Sequence, residues 1–230
     1  MSSKTKRVVK EKFKNDPSDN LKPRTQKQKT YLNALTQDSV VICLGPAGTG
    51  KTYCAAVYAA AKLATGEFEK IILTRPNVPT GRSIGFFPGT IDDKMAPWLA
   101  PLTAVIKEVL GCGAYDCHLK NGNIEMVPLE VIRGRSWDNA IILVDEASNL
   151  SMAELKVIST RIGKYSKVVF MGDVSQSDID TSIKNPLNVF CDLIEKHGIR
   201  NTSIIEFHID DVIRSDICSD FVVAFHKEGL

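Results

Sequence analysis

Gly45-Pro46-Ala47-Gly48-Thr49-Gly50-Lys51-Thr52 decides how this chain is read. The octapeptide fits G-x-x-x-x-G-K-[ST], the P-loop pattern. Its flanks fit as well: the apolar, strand-like run Val40-Val41-Ile42-Cys43-Leu44 enters it, and an Ala-rich helical run from Tyr53 to Leu63 leaves it. Glycines let the backbone curl until several N–H groups point at phosphate oxygens. The following helix adds its own unpaired N-terminal N–H groups to the same charge. Lys51 supplies a mobile cation for the β- and γ-phosphates, and Thr52 a hydroxyl that can ligate magnesium. The predicted contact set is Gly45, Pro46, Ala47, Gly48, Thr49, Gly50, Lys51, Thr52 and the adjoining Tyr53. The ligand class is a nucleoside triphosphate with magnesium.

Working outward, apolar runs alternate with helical patterns. Lys70–Thr74, Ala140–Val144, Lys167–Met171 and Thr202–Phe207 read as further buried strands. Helices are predicted over Arg24–Leu35, from Ser151 to about Ile162 behind a Ser151-x-x-Glu154 capping box, over Leu187–His197 and over Ser215–Lys227. Residues 93–110 are helical by pattern, with Pro97 and Pro101 breaking the first part. Asn121-Gly122 predicts a β-hairpin turn between short strands. Residues 76–92 read as a long loop, a length that points to function in a compact domain. The alternation predicts an α/β fold, with a mainly parallel, doubly wound sheet and helices on both faces. On such sheets ligands bind at the carboxyl ends of strands. The polar motifs at 45–52, 145–146 and 173–176 all follow strand ends.

A hydrophobic fraction of 43% and a charged fraction of 24% are those of a globular chain and argue against a disordered or fibrous one. No apolar run approaches the roughly 18–20 residues that span a bilayer, and the N-terminus lacks a signal peptide's apolar segment. The expected location is the cytoplasm. Cys112, Cys117 and His118 cluster without a second ligand pair at zinc-site spacing. The net charge of +2 is uneven, with +7 in residues 1–30 and −5 in the rest. Residues 1–22 read as a flexible basic arm and 23–230 as one domain. Such an arm suits a polyanion such as nucleic acid; it also suits a solvated tail.

Asp145 closes an apolar strand and is placed to hold the magnesium; Glu146, on the turn beyond it, is the candidate for orienting and polarising the attacking water. Gln176, on the turn after the next strand, can contact both γ-phosphate and water. Gln28, shortly before the P-loop strand, can read an adenine edge, or lie on the surface of its helix. Charge developing in phosphoryl transfer also calls for an arginine. The candidates are Arg214, Arg161, Arg133 and Arg135, with Arg214 preferred. Arg75, at a strand end, suits contact with a nucleic acid phosphate. Phe86, Phe87 and Trp98 could stack on bases or belong to the core or a subunit interface.

Taken together, GPAGTGKTY (45–53), LTRP (73–76), GFFPG (85–89), RGRS (133–136), ILVDEASN (142–149), TRIG (160–163), GDVSQSDI (172–179) and DVIRS (211–215) resemble the PhoH family of P-loop ATPases, related to the RecA-like domain of superfamily-one helicases. The stretch RTQKQKTYL (24–32) looks like the family's nucleotide-base motif and places its Gln at Gln28. The resemblance covers about residues 25–228, in a length similar to the compact phage or bacterial form; for a phage protein the location would be the host cytoplasm. It implies a RecA-like fold, ATP hydrolysis with Mg2+, association with RNA or single-stranded nucleic acid, and often a hexameric ring; Arg75, Arg133 and Arg135 are the candidate contacts to such a strand. Ser148 departs from the family, many members of which carry Gln there. One P-loop and one RecA-like domain leave the far wall of the site to a neighbouring subunit, with an arginine finger that could act in trans. Two functions compete: an ATPase that couples hydrolysis to RNA or single-stranded DNA, and a nucleotide-switched assembly module with slow hydrolysis and no unwinding. A small-molecule kinase fits less well, because Asp145, Glu146 and Gln176 suit water activation.

Overall fold

The computed structural model describes residues 21–76, 91–174 and 184–214, with Ile217, Cys218, Phe221 and Ala224 beyond them. The arm up to residue 20, most of the long loop with Phe86 and Phe87, Gln176 and most of the final helix lie outside the described residues. Strands β1 (Val40–Leu44), β2 (Lys70–Thr74), β3 (Ile124–Met126), β4 (Ala140–Val144), β5 (Lys167–Gly172) and β6 (Thr202–Glu206) form one sheet in the order β3-β2-β4-β5-β1-β6. Every pairing is parallel. The apolar runs are continuous because both faces are covered. Val41, Cys43, Ile71, Leu73, Ile141, Leu143, Val169 and Met171 face one cluster; Ile42, Leu44, Ile72, Ile142, Val144, Val168 and Phe170 face the other.

Helices α1 (Gln26–Gln37), α2 (Lys51–Thr65), α3 (Ile91–Leu110) and α4 (Cys112–Lys120) cover the first face. Helices α5 (Leu129–Ile132), α6 (Met152–Ser159) and α7 (Pro186–His197) cover the second. The alanines of α2, with Ala55, Ala56, Ala59, Ala60 and Ala61 fully buried, let that helix approach the sheet closely. The Ser151–Glu154 capping box forms as read. No helix of the described residues is long and apolar enough to cross a membrane.

Two expectations are corrected. Pro97 and Pro101 lie inside α3 rather than breaking it. Both sit on the exposed face, so the carbonyls they leave unbonded can meet water, while Met95, Leu99, Leu102 and Ile106 anchor the helix in the core. Asn121-Gly122 ends helix α4 instead of turning a hairpin. Gly122 has φ 69° and donates to Leu119 O at 3.1 Å, and Asn123 donates to His118 O at 2.9 Å. A left-handed glycine serves a helix end as readily as a hairpin turn. The segment that follows becomes β3, parallel to β2.

Candidate nucleotide site

The sheet order places the site. β5 lies between β1, which feeds the P-loop, and β4, which ends at Asp145. β1 and β4 are therefore two strand spacings apart, roughly 10 Å. Helix α2 begins at Lys51 and spans that gap: Thr52 Oγ1 donates to Asp145 Oδ1 at 3.3 Å. A hydroxyl and a carboxylate side by side are hard oxygen donors, the set that suits Mg2+, which takes one or two protein oxygens and completes its shell with phosphate and water. Thr52 and Asp145 are the residues that could hold it. Burial pushes the Asp145 carboxyl above its usual range, opposed chiefly by the Arg75 guanidinium.

Lys51 is 8% exposed. Its Nζ donates to the carbonyls of Gly45 at 2.5 Å and Pro46 at 2.8 Å, folded back on its own loop. Burial lowers its pKa, and Asp173, Asp145 and Glu146 partly offset that. Asp173, buried at the end of β5, is a carboxylate of this site that the sequence reading passed over in favour of Gln176. The signal was available: it ends an apolar strand as Asp145 does. Glu146 has φ 52°, a left-handed conformation that costs energy for a side-chain-bearing residue and marks a constrained turn. Burial first, then the neighbouring Asp145 charge, raise its pKa.

Two arms from the chain's ends clamp the loop. From α1, Gln28 is buried; its Nε2 donates to Thr49 O at 2.9 Å and its Oε1 accepts from Arg24 N at 2.8 Å. A Cβ at Gly50 would lie 2.5 Å from that same Nε2, so glycine is needed for the approach. The amide thus holds the loop, and reading a base would require it to exchange these partners. Tyr31, fully buried, reaches Lys51 O at 3.4 Å and meets Phe207 edge-on. From the C-terminal side, Ile213 N donates to Gly48 O at 2.9 Å. A Cβ at Gly48 would lie 2.7 Å from Arg214 Nε. Arg214 therefore rests on the loop of its own chain.

The other arginines are sorted by topology. Arg133 and Arg135 lie on the connection that leaves the β3 edge for the start of β4, and Arg135 pairs with Glu125 of β3 at 3.3 Å. Arg161 lies between α6 and the start of β5, so it too belongs to the amino end of the sheet. Of the four candidates only Arg214 reaches the P-loop. Arg75 ends β2 and lies 3.7 Å from Glu146. Trp98 is half-buried on α3, and its carbonyl accepts from Arg75 Nη1 at 3.2 Å. Tyr53 is 47% exposed beside the loop. Ser148 is buried, with its carbonyl bonded to Asn185 and its backbone N 2.7 Å from where a Gly172 Cβ would stand, so it packs against β5.

A parallel sheet that brings a P-loop, its lysine and threonine and the acidic end of a second strand to one edge defines a P-loop nucleotide-binding protein. The chain belongs to the PhoH family: the family model described as PhoH-like protein matches residues 20–226. It is 38% identical over 216 residues to the PhoH-like protein of Bacillus subtilis, covering 94% of this chain and 67% of that one. It is 35% identical over 207 residues to the PhoH-like protein of Synechocystis, covering 90% and 62%. With Protein PhoH of Escherichia coli K12 it shares 31% over 204 residues, covering 88% and 57%. The chain thus spans between 57% and 67% of the length of these relatives.

Proposed function

We propose that the chain binds ATP with Mg2+, hydrolyses it, and couples hydrolysis to binding or remodelling RNA or another single-stranded nucleic acid. The observation that carries the reading is the meeting of Lys51 and Thr52, at the start of α2, with Asp145 and Glu146, beyond the end of β4, with Thr52 and Asp145 3.3 Å apart. Mg2+, when bound, neutralises charge on the phosphate oxygens. Lys51 leaves the carbonyls of Gly45 and Pro46 to meet the β- and γ-phosphates. Glu146 accepts a hydrogen bond from the attacking water and orients it. Arg214, which rests on Gly48, would answer charge at the loop from within the same chain. The family resemblance supports nucleic acid as partner and a ring-shaped homo-oligomer, in which a neighbouring subunit covers the exposed side of the site around Tyr53.

The test is ATP turnover with increasing single-stranded RNA at several salt concentrations. Turnover rises with RNA, and the RNA affinity falls steeply with salt, as phosphate contacts require. Absence of both binding and stimulation at low salt defeats the coupling. Mass measurement with an ATP analogue tests the ring; a monomer with full turnover per chain defeats it. A second reading, a nucleotide-switched module with slow hydrolysis, is favoured by the Arg75 contact that engages Glu146.

A further inference from the structure

The carboxylate assigned to water is already engaged. Glu146 Oε1 lies 3.7 Å from Arg75 Nη2. β2 and β4 are adjacent, with Thr74 opposite Val144, so the pair joins neighbouring strand ends. The second terminal nitrogen of Arg75 donates to Trp98 O at 3.2 Å. The guanidinium therefore bridges α3 and the turn that carries Glu146.

The backbone of that turn is held. Asp145 N donates to Thr74 O at 3.0 Å, and Asn149 N donates to Glu146 O at 3.0 Å. Glu146 can change partner by side-chain rotation alone. At 3.7 Å, with the two side chains 30% and 39% exposed, the ion pair is loose, open to an incoming anion and weak. Even so, a guanidinium beside the carboxylate offsets the charge that a water proton would seek, which makes Glu146 a poorer acceptor.

We propose that Arg75 is a latch on Glu146: it holds the carboxylate back until a phosphodiester of a bound single strand draws the guanidinium away and frees Glu146 for water. A phosphate offers the planar fork of arginine two oxygens, a better match than one distant carboxylate oxygen. Arg75 is then a positioning residue that ties occupancy by nucleic acid to hydrolysis. The inference rests on the nucleic-acid-coupled reading given above.

The experiment uses the full chain, an oligo(U) strand and MgATP, with Arg75→Ala and Arg75→Gln compared with wild type. Gln keeps a donor for the Trp98 carbonyl, so it preserves the tether to α3 if Ala does not fold. In both variants basal turnover rises about fivefold, the rate equivalent of an exposed ion pair worth up to about 1 kcal/mol. Stimulation by oligo(U) falls to near unity. The salt dependence of oligo(U) binding, read by fluorescence anisotropy, loses about one phosphate's share of its slope. Unchanged or lowered basal turnover, with stimulation and salt slope intact, overturns the latch. A wild type that hydrolyses ATP without responding to oligo(U) overturns the nucleic-acid reading itself; a wild-type response fully kept by both variants overturns the latch alone.

Discussion

The two ends of the sheet each bury a lysine, and they use it in opposite ways. Lys51, at the carboxyl end, is 8% exposed; Lys167, at the amino end, is 6% exposed. Burial lowers the pKa of both. Lys167 donates to Asp38 O, and Asp38 in turn accepts from Ser203 Oγ at 2.6 Å, tying the starts of β5 and β6 to the entry of β1. Its partner is a backbone carbonyl fixed between α1 and β1. Among the described residues Lys51 Nζ donates within its own loop, to carbonyls that a phosphate oxygen can replace. The desolvation is similar; the difference is whether the partner is replaceable. One lysine fastens strands, while the other, on the proposed function, is stored for a ligand.

That contrast can be broken by substitution. Lys51→Met should cost the most: about 10²–10³ in ATP turnover, the scale for removing one donor aimed at developing charge, with an unchanged urea unfolding midpoint. A fall in both would show that Lys51 also fastens the fold. Gln28→Ala should weaken nucleotide binding about tenfold, by loosening the loop at the cost of roughly one buried hydrogen bond. Calorimetric titration with an ATP analogue checks this, and undiminished affinity would separate the α1 clamp from binding.

Lys167→Met should leave turnover alone, remove the tie to Asp38 O and change how stability depends on pH. The folded-state pKa of Lys167 is lowered from 10.5 to about 8, so between those values the unfolded chain holds more protons than the folded one. Wild-type stability must therefore rise across that window relative to Lys167→Met, and the penalty for burying the charge is fully present below it. Urea midpoints of the two proteins measured through the window give the difference directly. A flat difference would mean that Lys167 stays charged in the fold.

The carboxyl end was the more legible half, because its chemistry follows strand ends. Gly45–Thr52 follows from its own glycine and lysine pattern, Asp145 and Glu146 from the end of an apolar run, and β5 with Asp173 followed that same rule. What lay beyond local pattern was pairing across the chain. Nothing near Gln28 indicates that its amide is committed to Thr49, or near Gly48 that Arg214 rests upon it. Arg214 was preferred among four arginines for its place between the last strand and the last helix; that Arg135 pairs with Glu125 of β3 was not legible locally. The prolines of α3 misled because local breaking was overruled by Leu99, Leu102 and Ile106 in the core. Asn121-Gly122 misled because two different turns want the same left-handed glycine.

The central claim is that the strand-end carboxylates form a hydrolytic site in which Glu146 serves the water and Lys51, Thr52 and Asp145 serve the nucleotide with its metal. The most direct measurement is MgATP binding and single-turnover hydrolysis by Glu146→Gln beside wild type. The predicted result is nucleotide affinity within about twofold of wild type and hydrolysis slowed by roughly 10²–10⁴, the usual worth of a positioned general base. Hydrolysis at the wild-type rate by that variant, with MgATP bound, would contradict it.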